Sequence, residues 1–112
     1  MANTVTYVTK QIEPSATTET VLYTVPTVVV SKIVNIFVCN KGAAGTFRIS
    51  QSVGGGATAD KDYIFYDEPL AANTTYRDTS PLFGNTGDIF RVYASSADIS
   101  FTLHAQETAE AT

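Results

Sequence analysis

The sequence predicts an all-β protein: a single-domain antiparallel β-sandwich, jelly-roll or Ig-like, of seven or eight strands. Two observations predict the class. β-Branched and aromatic segments recur with turn clusters roughly every 8 to 12 residues, and no segment holds apolar residues at helical spacing over three turns. A third observation, the stretch 31–53, predicts the centre of a sheet. There Ile33, Val34, Ile36, Phe37, Val38 and Cys39 put apolar side chains on both faces, with only Asn35 interrupting. Such a strand is expected to lie inside a sheet, covered on each side. After Lys41-Gly42-Ala43-Ala44-Gly45 the pattern alternates, with Phe47 and Ile49 inward and Thr46, Arg48 and Ser50 toward water.

The chain begins with loose alternation over residues 1–13, read as an N-terminal arm or edge strand that Pro14-Ser15 ends. Residues 19–25 form a strand with Val21, Tyr23 and Val25 on one side and Leu22 on the other; Pro26 closes it. Thr27 to Val30 begins the next strand or connects to it. Gly54 to Asp60 reads as a flexible loop. Asp62 to Tyr66 is an aromatic strand closed by Asp67-Glu68-Pro69, and Thr74 to Arg77 and Leu82-Phe83 are short strand candidates. Gly84 to Asp88 is a turn cluster. In Ile89 to Ala94, Ile89, Val92 and Ala94 compete with Phe90 and Tyr93 for the core. Ile99, Phe101 and Leu103 alternate cleanly with Ser100, Thr102 and His104. The sandwich domain is placed at 14–107, with 108–112 a flexible tail. A small barrel would satisfy the same strand spacing. Packing of the sheets is expected to bury Val34, Ile36, Val38, Phe47, Ile49, Phe101 and Leu103.

The chain has 112 residues, enough for one modest core. Charged residues make up 16%, against the usual quarter, and Thr, Ser, Ala and Asn fill the difference. A net charge of −4 argues against nucleic acid, which is held by counterion release to basic surfaces. The start, MANTVTYVTK, lacks a basic n-region and apolar core, and the longest apolar run is broken by Pro26, Ser31, Lys32 and Asn35. No membrane partner is expected, and synthesis in a reducing cytoplasm is. The single Cys39 rules out an intrachain disulfide.

Little in the chain suggests catalysis. Cys39 and His104 could formally pair, but a cysteine inside an apolar strand is expected to be buried and inert. One Cys and one His do not make a zinc site. Asp60, Asp62, Asp67 and Glu68 could offer calcium oxygens or a carboxylate pair, yet Lys61 between two aspartates reads as a solvated loop. Gly54-Gly55-Gly56 opens no helix and precedes no Lys-Ser/Thr, so it is not a phosphate loop. No catalytic residue, metal or cofactor is assigned. Tyr63, Phe65 and Tyr66 beside Asp60 and Asp62 could instead stack on and hydrogen-bond a sugar, although strand aromatics are more often core or interface.

The blocks Leu22-Tyr23-Thr24-Val25-Pro26, Ile36-Phe37-Val38-Cys39-Asn40, Thr46-Phe47-Arg48-Ile49, Gly87-Asp88-Ile89-Phe90-Arg91-Val92-Tyr93 and Ile99-Ser100-Phe101-Thr102-Leu103 occur in an order that resembles small structural proteins of tailed bacteriophages. The resemblance covers about residues 19 to 107. It implies a non-enzymatic virion component, foremost a capsid decoration (cement) protein that bridges neighbouring capsid subunits. A neck, tail or baseplate component, or a carbohydrate-binding module of a host-adhesion device, is the alternative. The implied partners are the major capsid protein or other virion proteins and further copies of the chain, a trimer being favoured. Localisation would be the virion. The expected assembly contacts are Thr4, Val5, Thr6, Tyr7, Val8 and Ile12 in the arm. One departure is local: these proteins commonly follow the Val-Pro with a glycine-containing turn, whereas here the chain runs Thr27-Val28-Val29-Val30-Ser31.

Overall fold

The structure, a computed structural model, describes residues 4–109. It has nine strands: β1 (Thr4–Ile12), β2 (Thr20–Thr24), β3 (Val29–Asn40), β4 (Gly45–Ser52), β5 (Tyr63–Leu70), β6 (Thr75–Asp78), β7 (Leu82–Gly84), β8 (Ile89–Ala94) and β9 (Ile99–Ala109). Single 3-10 turns at Val53–Gly55 and Asp60–Asp62 interrupt the β4–β5 connection. The first sheet has the order β1-β9-β3-β6, with β7 also on β3; the second has the order β2-β8-β4-β5.

All pairings are antiparallel, and they nest. β4 pairs with β5, β3 with β6 and β7, β2 with β8, and β1 with β9. A long antiparallel ribbon rolled into two facing sheets gives this pattern, which is the jelly roll. Nine strands replace the expected seven or eight because both short candidates are real and share one edge of β3. Together β6 and β7 fill a single strand position.

The core lies between the sheets. Ile33, Ile36, Val38, Ile99, Phe101 and Leu103 from the first sheet face Tyr23, Phe47, Ile49, Phe90, Val92 and Ala94 from the second. Phe47 meets Phe101 edge-on across the gap, with ring centroids 6.2 Å apart. β9 shows the alternation its sequence predicts, with Ile99, Phe101, Leu103 and Ala105 buried and the residues between them half-exposed. In β8 the competition resolves in favour of Phe90, Val92 and Ala94.

Strict alternation fails at bulges. β3 is central but is covered on one face only, and a bulge between Ile33 and Asn35 switches its parity. Ile33 and Ile36 are therefore both buried, and Val34, expected in the core, is exposed. A bulge between Val21 and Tyr23 likewise buries Leu22 and Tyr23 together and exposes Val21.

Two segments expected to be loose are built into the sheet. β1 pairs with β9 over nine consecutive residues without a register shift, so Thr4–Ile12 is an edge strand. Thr108 and Ala109, expected in a flexible tail, are instead the last residues of β9; Glu110 to Thr112 lie outside the described residues. The glycine loop is also tied down. Arg91 Nη1 donates to Ser52 Oγ (2.9 Å), the Gly56 carbonyl (2.9 Å) and Thr58 Oγ1 (3.1 Å), lashing the loop across the second sheet. Ser50, expected to face water, is buried on that same outer side.

The turn after Pro26 carries an outlier. Val28 sits at φ +54° with its side chain exposed. A β-branched residue in the left-handed region is strained.

Candidate functional site

The outer face of the first sheet is built by register. Tyr7 on β1 lies opposite Gln106 on β9, Gln106 opposite Lys32 on β3, and Lys32 opposite Phe83 on β7. The next row runs Val5, Thr108, Val30. Opposed residues share a face, so Val5, Tyr7, Val30 and Phe83 stand on one surface, joined by Val34 at the bulge. Tyr7 is 79% exposed and Phe83 69%. Half of the exposed large apolar residues among those described belong to this set, interleaved on the face with Gln106, Thr108 and Lys32. β7 is fixed from behind, where Gln51 Nε2 donates to the Phe83 carbonyl (2.7 Å).

The predicted assembly contacts divide between two faces. Val5 and Tyr7 share the outer face with Gln106 and Thr108. Thr4, Thr6, Val8 and Ile12 share the inner face with Ala105 and Phe101, and Val8 and Ile12 pack partly against the core. Val30, Val34 and Phe83 were not foreseen. Their signal is apolar residues beyond what one face of a strand can bury, which the sequence presents as core at Val34, as connection or strand start at Val30 and as a short strand at Phe83.

The outer face of the second sheet carries a different cluster. Tyr63 and Tyr66 meet at 75° with centroids 4.8 Å apart. With Asp60 they line an open concavity of about 330 Å³. The Arg48 guanidinium lies 4.3 Å from the Tyr66 ring and 4.3 Å from the Tyr93 ring. Its edge is held by Asp67, to which Nε donates at 2.6 Å and Nη2 at 3.3 Å. The Asp67 carboxylate raises the already high pKa of Arg48 further.

Two bulges in the β4–β5 pairing make this arrangement possible. Ser50 is opposite Tyr63 and Ile49 opposite Phe65, which leaves Ile64 as the extra residue and puts Tyr63 outward and Phe65 inward. The second bulge carries Asp67 at φ +50°, a conformation aspartate tolerates better than most residues. Phe65 packs on Phe47 (5.8 Å) and Tyr76 (5.5 Å), so it is not available to a sugar. The Asp62 carboxylate accepts the Ala59 N–H (2.8 Å) and the Ser52 hydroxyl (3.4 Å), which commits it to the turn. Of the five predicted sugar contacts, Asp60, Tyr63 and Tyr66 come together. Arg48, Asp67 and Tyr93 join them without having been foreseen.

Cys39 and His104 occupy the outer face of the first sheet. Cys39 is half-exposed rather than buried and lies opposite Ser100, four residues from His104, about 13 Å along the strand. They cannot act as a dyad, and the His104 ring stacks edge-on with Phe37 (5.7 Å). Among the described residues no three Cys, His, Asp or Glu come together as metal ligands, and no helix is long and apolar enough to cross a membrane.

Fold and faces define a jelly-roll β-sandwich with exposed apolar side chains among polar ones on the outer face of one sheet and a tyrosine-rich outer face on the other. No family model, curated protein or solved structure matches the chain.

Proposed function

We propose that the protein is a non-enzymatic structural component of a tailed-phage particle, a decoration protein that bridges and stabilises neighbouring capsid subunits. The observation that carries this reading is the set of five exposed apolar side chains on the outer face of the first sheet, Val5, Tyr7, Val30, Val34 and Phe83, which lie among Gln106, Thr108 and Lys32 and reach the free edge of β1. Exposed apolar surface of this kind is stabilised when a partner covers it. The edge beside it offers backbone groups to which a partner strand can add. The ordered sequence blocks supply the phage assignment. Jelly rolls occur in viral capsid domains, which is an analogy at the level of fold only. Three copies around a capsid threefold axis would let modest contacts act together.

The test is co-sedimentation of the protein with undecorated capsids, using Tyr7→Lys combined with Phe83→Lys. Both side chains are exposed, so folding should be unchanged by circular dichroism while capsid binding is lost. Binding of the double variant at the wild-type level sinks the assignment of this face. Copy number per particle, by quantitative mass spectrometry, separates the roles. Occupancy matching the capsid lattice supports decoration, and occupancy matching one vertex moves the protein to the neck, tail or baseplate.

A further inference from the structure

We infer that the concavity formed by Asp60, Tyr63 and Tyr66 on the second sheet is a binding site for a neutral saccharide. The inference is independent of the virion reading and rests on a different face.

Three features carry it. The two tyrosine rings form a corner at 75°, 4.8 Å between centroids, so a pyranose can lay its apolar C–H face on one ring with the other as a wall. Asp60, the third lining residue, supplies a carboxylate that accepts hydrogen bonds from sugar hydroxyls. The corner is also preorganised, because Arg48 is stacked between Tyr66 and Tyr93 and held at its edge by Asp67. A braced ring loses little freedom when a ligand stacks on it. Tyr66 nonetheless remains 58% exposed, so the brace leaves much of it free for contact.

Size and charge narrow the ligand. A volume of about 330 Å³ is at the small end of ligand sites, roughly 300 to 1,000 Å³, and suits one or two sugar rings at a chain end or branch. Asp60 at the rim and the net charge of −4 disfavour uronic and sialic acids. Phe65 and Asp62 take no part. Arg48 and Asp67 are positioning residues that act through Tyr66.

The experiment screens the full-length protein on a printed array of neutral and acidic glycans, including bacterial surface oligosaccharides. The strongest neutral binder is then titrated by calorimetry. Tyr66→Ala should weaken binding at least tenfold, the scale of a lost ring contact. Tyr66→Phe, which keeps the ring, should stay within a few-fold of wild type. Arg48→Ala should weaken binding less than Tyr66→Ala does, since it frees the ring without removing it. Thermal melts of each variant verify folding. The inference is overturned if no glycan exceeds the signal of Tyr66→Ala, if acidic glycans alone bind, or if Tyr66→Ala binds like wild type. Tyr7→Lys with Phe83→Lys should leave glycan binding unchanged, so failure of one face is distinguishable from failure of the other.

Discussion

β1 runs nine residues along the edge of the first sheet and β5 eight along the edge of the second, and β5 carries far more of the devices that keep an edge from pairing. β5 has two bulges, Pro69, the carboxylates of Asp67 and Glu68, and a left-handed residue at Asp67. The remaining edges are short: β2 has five residues and a bulge, while β6 and β7 have four and three. β1 has one such device, Lys10 on the inner face opposite Leu103, but no proline and no bulge, and among the described residues nothing pairs with its outer side. Unprotected edges invite added strands, which is why most proteins blunt them. An edge left straight beside an apolar face is suited to a partner, whereas an edge bent by bulges re-aims side chains, as β5 does with Tyr63 and Tyr66.

The largest effect expected from breaking this comparison is at Phe65. Its ring packs against both Phe47 and Tyr76, which also touch each other, so Phe65→Ala should cost about 3 kcal/mol in urea denaturation. A loss under about 0.5 kcal/mol, the range of ordinary surface changes, would mean that β5 is not anchored by its inward ring.

Asp88 comes next. Its buried carboxylate accepts the backbone N–H groups of Gly54 and Asn85, both at 2.9 Å, and Gln51 Nε2 at 3.3 Å. Burial pushes its pKa up, but these hydrogen bonds outweigh burial and leave the value below that of a free aspartate. The folded state thus binds this proton less readily than the unfolded chain. The contribution is present above the unfolded value near 4 and is lost as pH falls through the lowered folded value. Asp88→Ala should cost about 2 kcal/mol at neutral pH by orphaning buried donors. Urea midpoints measured from pH 7 to 3 should flatten in the variant relative to wild type.

A smaller effect of opposite sign is expected at Val28. Replacing it with glycine relieves the left-handed strain and should stabilise by about 1 kcal/mol, read as a higher urea midpoint. The smallest belongs to β1 itself. Tyr7→Ala should change stability by no more than about 0.5 kcal/mol in the same assay. A large loss there would mean that Tyr7 serves the fold rather than a partner.

The all-β class and the core of β4 and β9 are legible in the sequence because a period of two survives wherever pairing is regular, whereas β8, with apolar residues on both faces, leaves its inward side open. Phe47, Ile49, Phe101 and Leu103 are inward as their alternation requires. Val34 and Leu22 were misread for one reason: each lies at a bulge, and neither bulge is announced by glycine. Tyr63 and Tyr66 can be named from one aromatic strand, and Asp60 from the turn just before it. Arg48 and Tyr93 cannot, because the contacts that join them to Tyr66 depend on the β4 register with its two neighbours. The glycine loop read as flexible for a similar reason, since Arg91, which ties it, lies far along the chain.

The nested pairing also sets an order of assembly for the chain itself. Loop closure favours near partners first, so β4 with β5 can form early, and each outer pair waits for the one inside it. Thr4 and Ala109, the most distant register partners, meet last. By loop length alone β1 ranks last to pair, so the strand with the open edge is also the one whose pairing carries the largest closure cost.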